Sequence, residues 1–275
     1  MTGFGLALLP HRHHRALWLA CAAWFLSGPA ESAGFQGNPV ALVNTFIGTR
    51  DDGNTFPGAS APFGLIQVSP IGSHYSGWRY DDPAIRGFGH SFLSGAGCWE
   101  QGGQLSLLPV IGRIDAGGDF DTDKPESFDH KKYASPYEHQ GELGEAGYYK
   151  VRLTGYGGID AEATALTRAA AERYTFGTDR EEAHLLVNVG QANERQSVVG
   201  SSLRVVDART VEGKIVTKSF CGGQQYATWF RIAFDRPFKA HGIWDDSGGR
   251  PGSSGPSQQG EGRPHGAWLT FDLRA

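Results

Sequence analysis

The run IDAEATA at Ile159–Ala165 sets Ile159, Ala161, Ala163 and Ala165 on one side and Asp160, Glu162 and Thr164 on the other. A two-residue period of this kind belongs to a strand with one buried and one solvated face. Comparable runs occupy residues 105–114, 148–154, 172–176, 184–189, 203–206, 210–218, 228–234 and 267–273, while helical periodicity is scarce beyond the first thirty residues. Asp207-Ala208-Arg209 and Gly155-Tyr156-Gly157-Gly158 separate neighbouring runs as short connections. The pattern predicts an all-β fold, a large antiparallel β-sandwich of the super-sandwich kind, in which sheets bury one face each against the other. Two stretches interrupt it. Residues 115–137, charged and Pro-containing, read as a solvated excursion, and residues 245–264, rich in Gly, Ser and Pro, as a flexible surface insertion.

Residues 1–30 read as an address: a basic patch at 11–15, an apolar run at 16–26, then Gly28-Pro29-Ala30 as a small-residue cleavage signal. The apolar run falls far short of the ~20 residues a spanning helix needs. The expectation is a signal peptide over residues 1–30, one domain over 31–275, a secreted or periplasmic location and no membrane association after processing. Bulky Trp18-Leu19 ahead of Cys21 argues against lipidation. Removal of the leader takes away Arg12 and Arg15 and leaves 23 Lys+Arg against 29 Asp+Glu, a formal charge of −6, so no nucleic-acid partner is expected. Cys98 and Cys221 then remain, with no spacing motif. In an oxidising compartment they form one disulfide, or they are two buried small hydrophobes.

Several chemistries lack their residues. The histidines beyond the leader are scattered, and none belongs to a His-x-x-x-His or Cys-x-x-Cys group that would suit zinc. Leu93 stands where the second glycine of a hydrolase elbow around Ser91 would be, and the Gly95-x-Gly97 pair is too short to cradle a phosphate. Asp51-Asp52 and Asp81-Asp82 are adjacent pairs on turns, unsuited to face each other across a sugar as the two carboxyl groups of an inverting glycosidase must. The segment 43–104 nonetheless has the composition of a site. Gly48, Gly53, Pro57, Gly58, Pro62 and Gly64 fix turns, while Trp78, Tyr80 and Trp99 offer flat apolar platforms. Asn54, His90, Glu100 and Gln104 can share hydrogen bonds with hydroxyl groups. Aromatic rings beside amides and carboxylates are suited to a pyranose; the competing reading for Trp78 and Trp99 is sandwich core, and for His90 a buried ring satisfied by backbone.

The segments VNTFIGT (43–49), GNTFPGASAPFGLIQVSP (53–70), RYDDPAIRGFGHSFLSGAGC (79–98), GYYKVRL (147–153), DAEATALTRAAAERYTF (160–176), DARTVEGKIVTKSFC (207–221) and FDRPF (234–238) resemble the amino-terminal domain of glycoside hydrolase family 92, the calcium-dependent exo-α-mannosidases. The resemblance implies a β-sandwich that packs on a carboxy-terminal helical barrel, with the active site between them. It implies that the general acid, the general base and most calcium contacts belong to the barrel, of which these 275 residues show no sign, so no catalytic residue and no metal ligand is carried over. It further implies that residues 87–103 face the barrel, with Trp99 the first candidate for holding sugar and Glu100, His90 and Trp78 behind it. Cys98 and Cys221 both lie inside matching segments and are expected to be joined. CWEQGGQ at 98–104 departs from the commoner family forms, leaving an α-1,2-mannoside and a mannosyl phosphodiester both open as substrate. The expected partners are a mannose-containing glycan and a catalytic barrel, as a domain or a separate chain. The rival reading is a stand-alone carbohydrate-binding sandwich without enzymatic activity.

Overall fold

The computed structural model describes residues 37–51, 53–74, 77–92, 102–177, 179–193, 198–218, 224–260 and 262–274. The chain separates into Met1–Leu42 and Val43–Ala275. The described part of the first unit holds a 3-10 turn at Pro39–Leu42. The second unit is built from antiparallel sheets, and among the described residues no helix is long and apolar enough to cross a membrane.

Eight strands make the largest sheet: β1 (Ala59–Ser60), β2 (Gln67–Ile71), β4 (Gly87–Gly89), β5 (Ser106–Val110), β10 (Glu182–Asn188), β17 (Gly266–Asp272), β14 (Ala240–Asp245) and β15 (Gly248–Pro251), in that spatial order. A five-stranded sheet runs β3 (Ala84–Ile85), β6 (Ser135–Glu145), β7 (Tyr148–Leu153), β8 (Ile159–Ala165) and β9 (Ala170–Phe176). A four-stranded sheet runs β13 (Tyr226–Ala233), β12 (Thr210–Thr217), β11 (Val198–Asp207) and β16 (Ser257–Gln259).

The eight-stranded sheet is the middle layer of three, and its sequence shows why. Strand β10 is buried at six consecutive positions, Ala183 to Asn188, because alternate side chains enter two different cores. Leu186 joins Leu108, Val110, Trp244 and Trp268 on the side of the five-stranded sheet, against Tyr149, Val151, Leu153 and Ile159. Leu185 and Val187 join Leu107, Ile243, Ala267 and Leu269 on the other side, against Leu203, Val205, Val211 and Ile215. Outer strands bury one face only and alternate, as β8 does. Two facing sheets thus become three, since a continuous apolar run needs cover on both sides.

Two expectations about the connections fail. The stretch 115–137 is no simple solvated excursion, because Phe120, Phe128 and Tyr133 are buried in the first core. The Phe128 ring stacks on Trp244 at 4.5 Å and on Trp268 at 5.4 Å. These tryptophans lie flat over glycines of the paired strand, in the register Gly242↔Trp268 and Trp244↔Gly266. A Cβ at Gly242 would come within 2.0 Å of the Trp268 ring, so the glycine is required by the close approach. The stretch 245–264 likewise forms the β14–β15 hairpin and the edge strand β16.

Candidate functional site

Strand β4 ends at Gly89 and β5 begins at Ser106, with residues 90–105 between them. The two ends of this connection are bound to each other. The His90 N–H donates to the Gln104 carbonyl at 3.0 Å, and Ser91 Oγ donates to Gln104 Oε1 at 2.7 Å. Gln104, itself buried, donates from Nε2 to the Tyr226 hydroxyl on β13 at 2.7 Å. Gln67 Oε1 accepts from the Phe92 N–H at 3.0 Å, and the Phe92 ring packs on Phe56 at 5.0 Å. Gly102 and Gly103 have φ of 78° and 77°, and a Cβ on Gly103 would meet Asn193 Oδ1 at 2.3 Å. The described residues at both ends of this connection are therefore tightly specified in backbone and side chain.

His90 fastens that base to the outer layer. Nδ1–H donates to the Leu105 carbonyl at 2.6 Å and Nε2–H to Glu172 on β9 at 2.6 Å. Both partners only accept, an arrangement that needs a proton on each nitrogen and hence the imidazolium. Burial pulls the His90 pKa down, but the Glu172 charge and hydrogen bond with the backbone carbonyls outweigh it, and the net shift is upward. The second Glu172 oxygen accepts from the Tyr174 hydroxyl. With side-chain exposure of 12% and both nitrogens engaged, His90 has no donor or acceptor left for a sugar hydroxyl. This arrangement matches the competing reading of His90, a ring satisfied by protein partners.

Trp78 departs from expectation. It is 0% exposed and packed among Phe46, Tyr80 and Tyr137 with ring centroids 6.0–6.4 Å away, so it presents no face to a ligand. Asp82 anchors the turn that carries it, accepting from the N–H groups of Ser73 at 3.0 Å and Arg79 at 2.9 Å and from the Ser73 hydroxyl. Asp81 is exposed and lies 3.8 Å from Arg50. This adjacent pair thus serves a turn and a surface contact. Trp99, Glu100 and Cys98 fall within residues 93–101, and Cys221 within 219–223, all outside the described residues.

Two further clusters escaped the sequence reading. In β6 the register jumps between Glu138 and Leu143, a bulge that carries His139, partly exposed, and Glu142, whose side chain is buried. Glu142, with a side chain 2% exposed, accepts from His139 Nδ1 and the Tyr149 hydroxyl, both at 2.5 Å. Burial raises its pKa against the pull of those bonds. The His139 ring stacks on Tyr80 at 3.9 Å, which ties the bulge to the turn after Trp78. In the second cluster His265, fully buried, sits between Ser201 Oγ and Ser257 Oγ at 2.8 Å each, and Ser257 reaches Asp245 at 3.3 Å. The composition is that of a hydrolase relay. Burial drives the His265 pKa down to about 4, and Ser201 and Ser257 are buried too, so the chain fastens the four-stranded sheet to the central one.

Among the described residues, no three or more His, Cys, Asp or Glu side chains gather where they could hold a metal ion. Asp82, Glu142, Glu172 and Asp245 have their oxygens engaged by protein donors. Calcium takes six to eight oxygen ligands, which this donor set does not offer.

The sequence profile of the glycosyl hydrolase family 92 N-terminal domain matches residues 42–275. A family GH92 α-mannosidase of Bacteroides thetaiotaomicron superposes with a TM-score of 0.71 at 28% identity, over 85% of this chain and 31% of the other. The GH92 family glycosyl hydrolase ccman5 gives a TM-score of 0.69 at 27% identity, over 86% and 31%. An uncharacterized secreted glycosidase of Arthroderma benhamiae is 28% identical over 156 residues, which are 56% of this chain and 19% of that protein. The chain thus spans about a third of the structural relatives' length and a fifth of the fungal protein's.

Proposed function

The chain belongs to glycoside hydrolase family 92, whose N-terminal domain it carries, and on that premise we propose that it forms the sugar-facing sandwich of an exported α-mannosidase. Its ligand is a mannose-containing glycan. Segment 93–101 supplies the contacts: Trp99 stacks on the apolar face of a pyranose and Glu100 accepts from a hydroxyl. His90 acts through others, its ion pair with Glu172 fixing where that segment starts. The observation that carries the reading is the clamp at the base of the segment, Ser91–Gln104–Tyr226, together with the packed glycines 102 and 103. Such investment in one excursion suits a preorganised contact surface.

Inverting hydrolysis needs two carboxyl groups roughly 6.5–9.5 Å apart, one to protonate the leaving oxygen and one to activate water. Asp82, Glu142, Glu172 and Asp245 are engaged by protein donors, and we assign acid, base and calcium to a partner barrel and derive no step through them here. The Gln104–Tyr226 bond supports a Cys98–Cys221 disulfide, because it holds together the chain just after each cysteine. The secreted character of the fungal relative and the leader-like residues 1–30 support export.

The test is an assay on α-1,2-mannobiose and an aryl α-mannoside, with and without a chelator, of the chain alone and joined to a family-92 barrel. No release by the chain alone and calcium-dependent release by the pair are expected, with KM raised by Trp99→Ala. Turnover by the chain alone overturns the assignment of acid and base to the barrel. Mannoside binding with no activity from any barrel would favour the stand-alone binding domain.

A further inference from the structure

The four-stranded sheet gives one face to the core and the other to solvent, and the solvent face is ordered in rows. Arg204, Glu212 and Arg231 lie side by side across β11, β12 and β13; Gln258, Ser202, Lys214 and Trp229 form the next row across β16 to β13. Trp229 is 74% exposed, although its neighbours Phe230 and Ile232 pack against the core. The Lys214 ammonium stands over the Trp229 ring in a cation–π contact, 5.2 Å from its centre, a contact that a stacked sugar would displace so that the ammonium can turn to the anionic group. Arg231 Nη1 lies 3.1 Å from Glu212 Oε2, and Arg204 bonds the other oxygen. Ser202, Arg204, Glu212, Trp229 and Pro256 are among the residues that line a trough of about 440 Å³.

Among the described residues this indole stays mostly in water, on the face of the sheet turned away from the core. A flat ring on a flat sheet, beside an amide, a hydroxyl and guanidinium groups, matches a pyranose with its hydroxyls. The charge narrows the ligand further. Three cations meet one carboxylate here, in a protein whose formal charge is −4. Each guanidinium directs one N–H at Glu212 and has five in all. Arg231 follows Trp229 by two residues on the same strand face, about 7 Å away, and Lys214 lies one strand spacing, about 4.8 Å, to the side. That is the reach from a sugar ring to an anionic substituent.

We propose that this face is a second glycan site that takes an acidic polysaccharide with one ring on Trp229 and its anionic group against Arg231 and Lys214. It stands whether or not the mannosidase reading does. A nucleic acid is the weaker candidate, because one platform gives no stacking series for successive bases.

The test is titration of the intact chain, by tryptophan fluorescence and calorimetry, with an oligomannuronate, the neutral mannooligosaccharide of equal length, inorganic phosphate and a single-stranded oligonucleotide. Saturable binding of the oligomannuronate is expected, weakening as salt rises. The neutral oligomer should bind roughly tenfold less tightly, as should the acidic one to Trp229→Ala or Lys214→Glu, with thermal melts unchanged and Trp229→Phe retaining part of the affinity. The proposal is overturned by no binding, by equal affinity for the neutral oligomer, by affinity undiminished in Trp229→Ala, by phosphate binding as tightly, or by preference for the oligonucleotide.

Discussion

The glycine-rich segment from Gly48 to Gln104 and the regular strand β13 treat their tryptophans in opposite ways. Trp78, set among glycines, turns and polar residues, is fully buried; Trp229, in an alternating strand, is mostly exposed. Polar neighbours in sequence do not place a ring at the surface. Asp82 shows why: its carboxylate binds the turn's own N–H groups, so a polar residue there closes the chain around Trp78 and does not open it to ligand. In β13, position parity decides, and Trp229 falls on the outward parity of an outer sheet.

The sharpest way to break this contrast is to truncate both rings. Trp78→Ala should cost about 3–5 kcal/mol in chemical denaturation, as expected when a large ring leaves a cavity in a packed core. A cost under about 1 kcal/mol would show that Trp78 is not core.

The polar fastenings of the central sheet sharpen the contrast in a second way, because His265 and His90 titrate in opposite directions. His265 has its pKa lowered from 6.5 to about 4. Its contribution is present above 6.5 and lost as pH falls toward 4, a loss of about 3 kcal/mol. His265→Gln should flatten stability over that window, and an unchanged acid limb would remove His265 from the account. For His90 the shift is upward. Its contribution is complete below 6.5 and fades as pH rises through the elevated value. Glu172→Gln should cost about 1–3 kcal/mol near neutral pH and abolish that alkaline fading, since the imidazolium loses its counter-charge. The smallest effect is expected at Trp229→Ala, within about 0.5 kcal/mol of the parent. A larger loss would mean that the outer face is structural.

Much of the architecture could be read in the residues. Alternation in Ile159–Ala165 located β8 to the residue, and the apolar run 184–189 located the core of β10. The third layer was not legible, because periodicity reports that a face is buried and not what buries it. Phe128 was hidden by the charged residues around it, although it stacks on two tryptophans of the core. Of the site, the base of segment 93–101 was foreshadowed by its glycines. Its long-range partners were not: Glu172 opens the run read at 172–176 and Tyr226 lies outside the run read at 228–234, yet they hold His90 and Gln104 from 82 and 122 residues away. No local pattern encodes such a pairing.

The account turns on whether Trp99 meets mannose while Trp78 stays in the core. Indole N–H resonances, assigned by Trp99→Phe and Trp78→Phe, can be followed while methyl α-mannoside is titrated into the intact chain. The Trp99 signal should shift saturably, with the Trp78 signal unmoved and protected from hydrogen exchange. A saturable shift at Trp78, or mannoside binding that leaves Trp99 untouched, would contradict it.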